Sequence, residues 1–210
     1  MTGTDFEQIR QRLRAFYDED VSRRDQSRKP DWKVAERAAF LSRLQAERCS
    51  TLLEVGAGPG QDSTFFAAHG LTVMATDMSP QMVARCQAKG LDARVMDVSS
   101  LEFASAAFDA VYTMNCLLHV PNADLPGVLA EIARVLRPGG LFFLGVYGGT
   151  GTEGTADPDG HVPGRFFSWR TDEQILSFTR ERFDVVDFHV VATPGEVRFQ
   201  SLTLRRAQRA

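Results

Sequence analysis

Leu52-Leu53-Glu54-Val55-Gly56-Ala57-Gly58-Pro59-Gly60 is an apolar run that ends in a glycine-rich turn, with a helical pattern beginning directly after it. A strand feeding such a turn is how a buried parallel strand hands the chain to a crossover helix. The glycines allow backbone angles and a close approach that a Cβ would forbid, so a nucleotide-like ligand can press against the loop. The spacing is G-x-G-x-G. The dinucleotide fingerprint needs its third glycine one position later, where this chain has Gln61.

Outward from this turn, short apolar runs alternate with helical segments. Strands are predicted at TLLEV, LTVMATD, ARVMD, FDAVYTMN and GLFFLGVY. Ser79-Pro80 is a helix-start signal, and Leu125, Val128, Leu129, Ile132, Val135 and Leu136 trace an apolar stripe that stops at Arg137-Pro138-Gly139-Gly140. Thr171 with Gln174 reads as a capping box opening TDEQILSFTRER, and FDVVDFHVV and VRFQSLTLR close the chain as strands. Before the glycine turn, Phe6, Ile9, Leu13 and Phe16, and then Val34, Ala38, Leu41 and Leu44, recur at helical spacing. Two N-terminal helices are therefore expected, joined by a solvated linker.

Composition narrows the function. The 210 residues suit one domain, 43% hydrophobic and 24% charged, with a formal net charge of -3 that offers no global attraction to nucleic acid or an anionic membrane. Residues 1–30 hold seven Lys or Arg against six Asp or Glu, which is no nucleic-acid arm. Cys49, Cys86 and Cys116 are far apart, so neither a zinc cage nor a disulfide framework is suggested, and a reducing cytoplasm fits. The stretch MTGTDFEQIRQR lacks an apolar h-region and no run approaches the length needed to cross a bilayer, so neither secretion nor membrane insertion is expected.

Asp77 lies 21 residues after Gly56 at the end of the second strand, where a carboxylate can accept from both ribose hydroxyls; capping the helix near Ser79 is the alternative. Asp97 follows 20 residues later, at the end of the third strand. Taken in order, E-x-G-x-G-x-G, Asp77, Asp97, FDAVYTMNCLLH and LRPGGLFFL resemble the motif series of the class I S-adenosylmethionine-dependent methyltransferases, in particular the bacterial type-11/12-like group acting on small molecules. The resemblance covers residues 50–147 directly.

That resemblance implies an α/β three-layer Rossmann-like sandwich, with a seven-stranded, mostly parallel sheet ordered 3-2-1-4-5-7-6 and strand 7 antiparallel. A single domain is expected over 1–210: a helical cap at 1–48, a cofactor-binding core at 50–147, a loop or lid at 148–170, and a helix with a β-hairpin at 171–206. S-adenosylmethionine is the implied cofactor and S-adenosylhomocysteine the product. Gly56, Ala57, Gly58 and Gly60 would pass beneath its methionine and ribose portions, and Glu54 would orient the loop or reach the amino group through water. Asp77 would hold the ribose and Met78 would pack on the adenine. Asp97 and the backbone of Val98 would meet the adenine edge, and the backbone near Asn115 would meet the ammonium.

Tyr17 and Arg37 are candidates for closing over the cofactor, Arg37 by pairing with its carboxylate. His119 is the one imidazole placed to take a proton from an acceptor; a structural histidine bonding the cofactor loop or backbone is the favoured reading. Residues 148–164 are rich in glycine and proline and are expected to lack regular structure. Asp157, Asp159 and His161 within them read as turn chemistry, so no metal is expected. Arg165, Phe166, Phe167 and Trp169 can fold over the crevice as a lid offering an apolar wall and a cation, or the aromatics can plug the core while arginines cap carbonyls. Gln200 shares a strand face with Leu202 and Leu204 and is a candidate to enter the crevice.

The acceptor is expected to be a small molecule, aromatic or anionic, for a monomer or homodimer with no nucleic-acid or membrane partner. A nicotinamide-dependent oxidoreductase and a non-catalytic S-adenosylmethionine sensor are the competing readings. Acceptor contacts fall where no shared motif helps.

Overall fold

A computed structural model of the chain describes residues 6–156, 164–193 and 198–208. Its centre is the expected sheet. β1 (Thr51–Val55), β2 (Thr72–Asp77), β3 (Asp92–Val95), β4 (Phe108–Met114) and β5 (Leu136–Gly148) run parallel, and β9 (Arg198–Arg206) lies antiparallel between β5 and β8 (Phe183–Val191). The spatial order is β3-β2-β1-β4-β5-β9-β8. Renumbered along this sheet alone, it is 3-2-1-4-5-7-6.

Both faces are buried because consecutive strand residues point to opposite sides and each side meets helices. Leu53, Val111, Phe142 and Leu144 pack with Leu125, Val128, Leu129 and Ile132 of α6 (Leu125–Val135). Leu52, Ala110, Tyr112 and Phe143 pack instead with Phe40 and Leu44 of α3 (Asp31–Ala46) and Phe66 of α4 (Gln61–Ala68). α5 (Pro80–Ala88) starts where Ser79 Oγ accepts from Met82 N at 3.1 Å, with Pro80 in the first turn, and α7 (Asp172–Arg180) opens on the Thr171–Gln174 capping box.

Two expectations are corrected. Among the described residues three helices precede β1: between α1 (Phe6–Glu19) and α3, the stretch read as a linker contains α2 (Val21–Gln26). The i,i+4 pair Arg24–Asp20 at 2.9 Å supports a turn of helix that has no apolar stripe to betray it. The glycine-rich segment is not wholly irregular either, because β6 (Thr152–Ala156) pairs antiparallel with β7 (Arg165–Trp169). Strand pairing across the sequence gap supplies the backbone bonds that local propensity does not. Asp157, Asp159 and His161 lie outside the described residues.

Arg170, at the end of β7, is buried with 1% exposure. Its guanidinium donates to Leu117 O at 3.1 Å, Val120 O at 2.5 Å and Asn122 Oδ1 at 2.7 Å. Burial pulls its pKa down to about 10, so it stays charged at neutral pH. These bonds fix the 3₁₀ turn Leu117–His119 that follows β4. Arg170→Ala would strip Val120 O of its donor and leave Leu117 O and Asn122 Oδ1 with one weaker donor each, besides removing a large buried side chain, and a loss of about 3 kcal/mol or more in urea unfolding is expected; a loss below about 1 kcal/mol would mean the turn holds itself.

Candidate functional site

A cavity of about 240 Å³ opens at the carboxyl ends of β1, β2 and β4, beneath the N-terminal helices. This is where an open parallel sheet leaves a crevice. Its floor is the turn after β1, including Gly56, Ala57 and Gly58. Gly56 has φ of +72°, and a Cβ there would also strike Cys116 Sγ at 2.6 Å, whereas Gly58, at φ +54°, has no protein atom within 4 Å of where its Cβ would stand. That open space lies against the cavity wall.

Asp77, 9% exposed, ends β2 on the same wall. Its carboxylate accepts from Gly58 N at 2.8 Å and Ser79 N at 2.9 Å. Burial raises its pKa, and those two N–H groups oppose the rise. It braces the start of α5, as the capping alternative expects, and each oxygen keeps acceptor capacity. Glu54 is 3% exposed and accepts from Ser63 Oγ; burial, reinforced by Asp62, pushes its carboxyl well above the usual range. Asn115 sits just past β4 with φ +57°, its Oδ1 buried and without a hydrogen-bond partner. Met78 and Val98 complete this part of the wall.

His119 and Tyr17 close the cavity on the side of α1. Phe166 O accepts from His119 Nδ1 at 2.7 Å, and a carbonyl can only accept, so the proton of the neutral ring is on Nδ1. Nε2 then accepts from the Tyr17 hydroxyl at 2.7 Å. Burial, with Arg165 and Arg24 nearby, lowers the imidazole pKa to about 4, while burial raises that of Tyr17.

Several predicted residues stand elsewhere. Gly60, at φ +81°, begins α4 with its α-carbon facing Leu91 and Cys86, off the cavity wall. Arg37 donates to Asp62 Oδ1 at 2.8 Å and lies 3.9 Å over the Phe65 ring, so its charge is already engaged. Asp97 lines a neighbouring groove of about 380 Å³ that shares Met78 and Met96 with the main cavity. There it accepts from Ser99 N at 2.7 Å and lies 3.4 Å from Arg10.

The lid reading is overturned. Arg165 is buried with its guanidinium 4.6 Å from the Phe16 ring centre, and Phe166 packs on Ile9 and Leu13. Phe167 stacks on Trp169 at 5.0 Å within the main core. Gln200 is fully buried and donates to Arg170 O at 3.0 Å and Asp172 Oδ1 at 2.7 Å instead of entering the crevice. For the three aromatics apolar area dominates: covering them under α1 and α6 gains more than presenting them to water.

Arg24, Arg28, Lys29, Lys33 and Asp62 line the cavity and were not singled out from the sequence. The four cations sit in and beside the stretch read as a solvated linker, where a charge count averages over a one-sided arrangement.

His119 makes a measurable prediction. A neutral buried imidazole with a pKa near 4 disfavours protonation that the unfolded chain accepts near 6.5. Its contribution is therefore intact above that pH and is lost as the pH falls toward 4. Between about pH 7.5 and about pH 5 this amounts to roughly 2 kcal/mol. Denaturant unfolding of the wild type and His119→Gln at both pH values should show that much less acid sensitivity in the variant; equal sensitivity would contradict the buried neutral ring.

Comparison with known proteins places the core. The family model described as "Methyltransferase domain" matches residues 53–144. A malonyl-[acyl-carrier protein] O-methyltransferase of Enterobacter lignolyticus is 37% identical over 106 residues, 49% of this chain and 41% of that protein. A ubiquinone biosynthesis O-methyltransferase of Xanthomonas oryzae pv. oryzae is 38% identical over 100 residues, 44% of this chain and 41% of that protein. The chain thus spans well under half the length of either relative. Among solved structures, the 1,6-didemethyltoxoflavin-N1-methyltransferase of Burkholderia thailandensis, bound to 1,6-didemethyltoxoflavin and S-adenosylhomocysteine, superposes with a TM-score of 0.76 at 23% identity, covering 99% of this chain and 93% of that one. Residues 53–144 are thus similar to a methyltransferase domain, and the chain shares the fold of solved S-adenosylmethionine-dependent methyltransferases.

Proposed function

We propose that the protein transfers a methyl group from S-adenosylmethionine to a small-molecule acceptor. The observation that carries this is that two side-chain acceptors, the Asp77 carboxylate and the unpartnered Asn115 Oδ1, belong to residues of one cavity wall, beside the sterically open Gly58. A ligand rich in donors fits them. Asp77 suits ribose hydroxyls, Asn115 an ammonium, and the sulfur-containing face of Met78 an adenine ring. Three free thiols support a reducing cytoplasm as the setting, and among the described residues no helix is long and apolar enough to cross a membrane.

Bound S-adenosylmethionine supplies a methyl carbon activated by a positively charged sulfur, which departs in an in-line displacement. The chain's own part is to position and to exclude water. Asp77, locked by two N–H donors, presents a fixed carboxylate; α1 covers the cavity with Leu13 and Tyr17; positioning of this kind is worth about 7–11 kcal/mol of barrier. His119 is too weak a base to hold a proton at neutral pH. It orients instead, because its unprotonated Nε2 accepts from a hydroxyl or N–H. A nicotinamide oxidoreductase is disfavoured by Gln61 in place of the third glycine and by the antiparallel β9. A cofactor-binding sensor shares the cavity and differs only in lacking transfer.

Calorimetry with S-adenosylhomocysteine and with NADH tests the reading. The first ligand is expected to bind, and Asp77→Ala to weaken it by roughly 1.5–3 kcal/mol, the range for hydrogen bonds to a charged group. Unchanged affinity in a folded variant would remove Asp77 from the ribose, and binding of NADH alone would overturn the proposal. Transfer to a panel of phenols, amines, thiols and carboxylates separates enzyme from sensor.

A further inference from the structure

Four cations from α2, the turn after it and α3 line the cavity: Arg24, Arg28, Lys29 and Lys33. Three have carboxylate partners. Arg24 meets Asp20 at 2.9 Å, Arg28 meets Asp31 at 3.3 Å and Lys29 meets Asp62 at 2.7 Å. Lys33 differs: among the described residues it has no carboxylate within 4.0 Å. Its ammonium is held by aromatic faces, 5.2 Å from the Trp32 ring centre and 5.0 Å from that of Tyr147. Phe199 backs both rings, with centroids 4.6 and 5.7 Å away. Ring quadrupoles steady a cation without neutralising it. The half-buried ammonium therefore meets whatever enters the cavity without a carboxylate partner of its own.

Its place in the fold separates it from the adenosine end. Asp77 ends β2, whereas Tyr147 stands near the end of β5. The order β2-β1-β4-β5 puts three strand spacings, roughly 14 Å, between those ends. The cofactor inferred above also brings net positive charge to the cavity, from sulfonium and ammonium against one carboxylate. A second unneutralised cation beside it favours an anion as the remaining occupant.

Resting on the methyltransferase reading, we propose that Lys33 receives an anionic group of the acceptor, so that the acceptor class is small molecules bearing a carboxylate or phosphate. This replaces Arg165, which the core has taken, as the acceptor's cation. Lys33 is a specificity residue in this scheme and takes no proton from the acceptor. Burial holds the ammonium pKa down to about 8, with Lys29 and Arg24 lowering it further and Asp62 opposing them. An anion alongside would reverse part of that shift.

The test titrates benzoate, phenyl phosphate and uncharged benzamide into protein saturated with S-adenosylhomocysteine. At least one anion is expected to bind saturably and more tightly than benzamide. Lys33→Met should weaken that anion about tenfold or more, with S-adenosylhomocysteine affinity within about twofold of wild type, and Lys33→Arg should recover most of the loss. Unchanged anion affinity in Lys33→Met, or an equal loss for benzamide, overturns the proposal. So does the absence of saturable binding by either anion to the wild type. Loss of S-adenosylhomocysteine affinity with 5′-methylthioadenosine affinity intact would assign Lys33 to the cofactor's carboxylate and also overturn it. Failure of the wild type to bind S-adenosylhomocysteine is seen first and sinks the methyltransferase reading instead; titration of the free protein with the same anions then still reads Lys33.

Discussion

A single buried carboxylate holds the site in shape. Asp77 takes one N–H from the glycine turn after β1 and another from the start of α5, so two loops that belong to different βα units are tied at one point. Removing such a group from water penalises its charge, and the two N–H donors recover part of that cost. The arrangement persists because strand β2 delivers the side chain to the edge of the sheet with no freedom to turn away. Everything the cavity offers at the end of β2 is measured from this clamp.

The legible parts of the sequence were those where local chemistry and tertiary environment agree. LLEVGAGPG read as strand and turn because a doubly covered strand is continuously apolar and glycine takes the positive φ at positions 56 and 58 without strain. Ser79-Pro80 and Thr171–Gln174 carried their capping chemistry in a few neighbouring residues, and the structure realises both. The antiparallel β9 and the sheet order came from the resemblance, since no periodicity states which strands are neighbours.

What escaped was set by contacts distant in sequence. β6 exists because β7 pairs with it, and α2 adds to its local Arg24–Asp20 pair a distant tie from Asp25 to Lys89 at 2.5 Å and Arg85 at 3.3 Å. Arg165, Phe166, Phe167 and Trp169 combine aromatics and charge in a way that suits a lid or a core plug equally, and only the placement of α1 and α6 decides for the core. Lys29 and Lys33 lay hidden for a related reason: in a charge count they merge with the acids around them, while in space Lys33 stands apart.

His119 spends one nitrogen on the backbone of Phe166 and the other on the phenol of Tyr17, so the imidazole already has a tenant. A newcomer reaching for Nε2 must evict that phenol and offer a donor of its own in exchange. Molecules with only an ether or a carbonyl have nothing to trade there. Admission is thus a matter of substitution of like for like, and the resident tyrosine acts as the reference against which each visitor is compared.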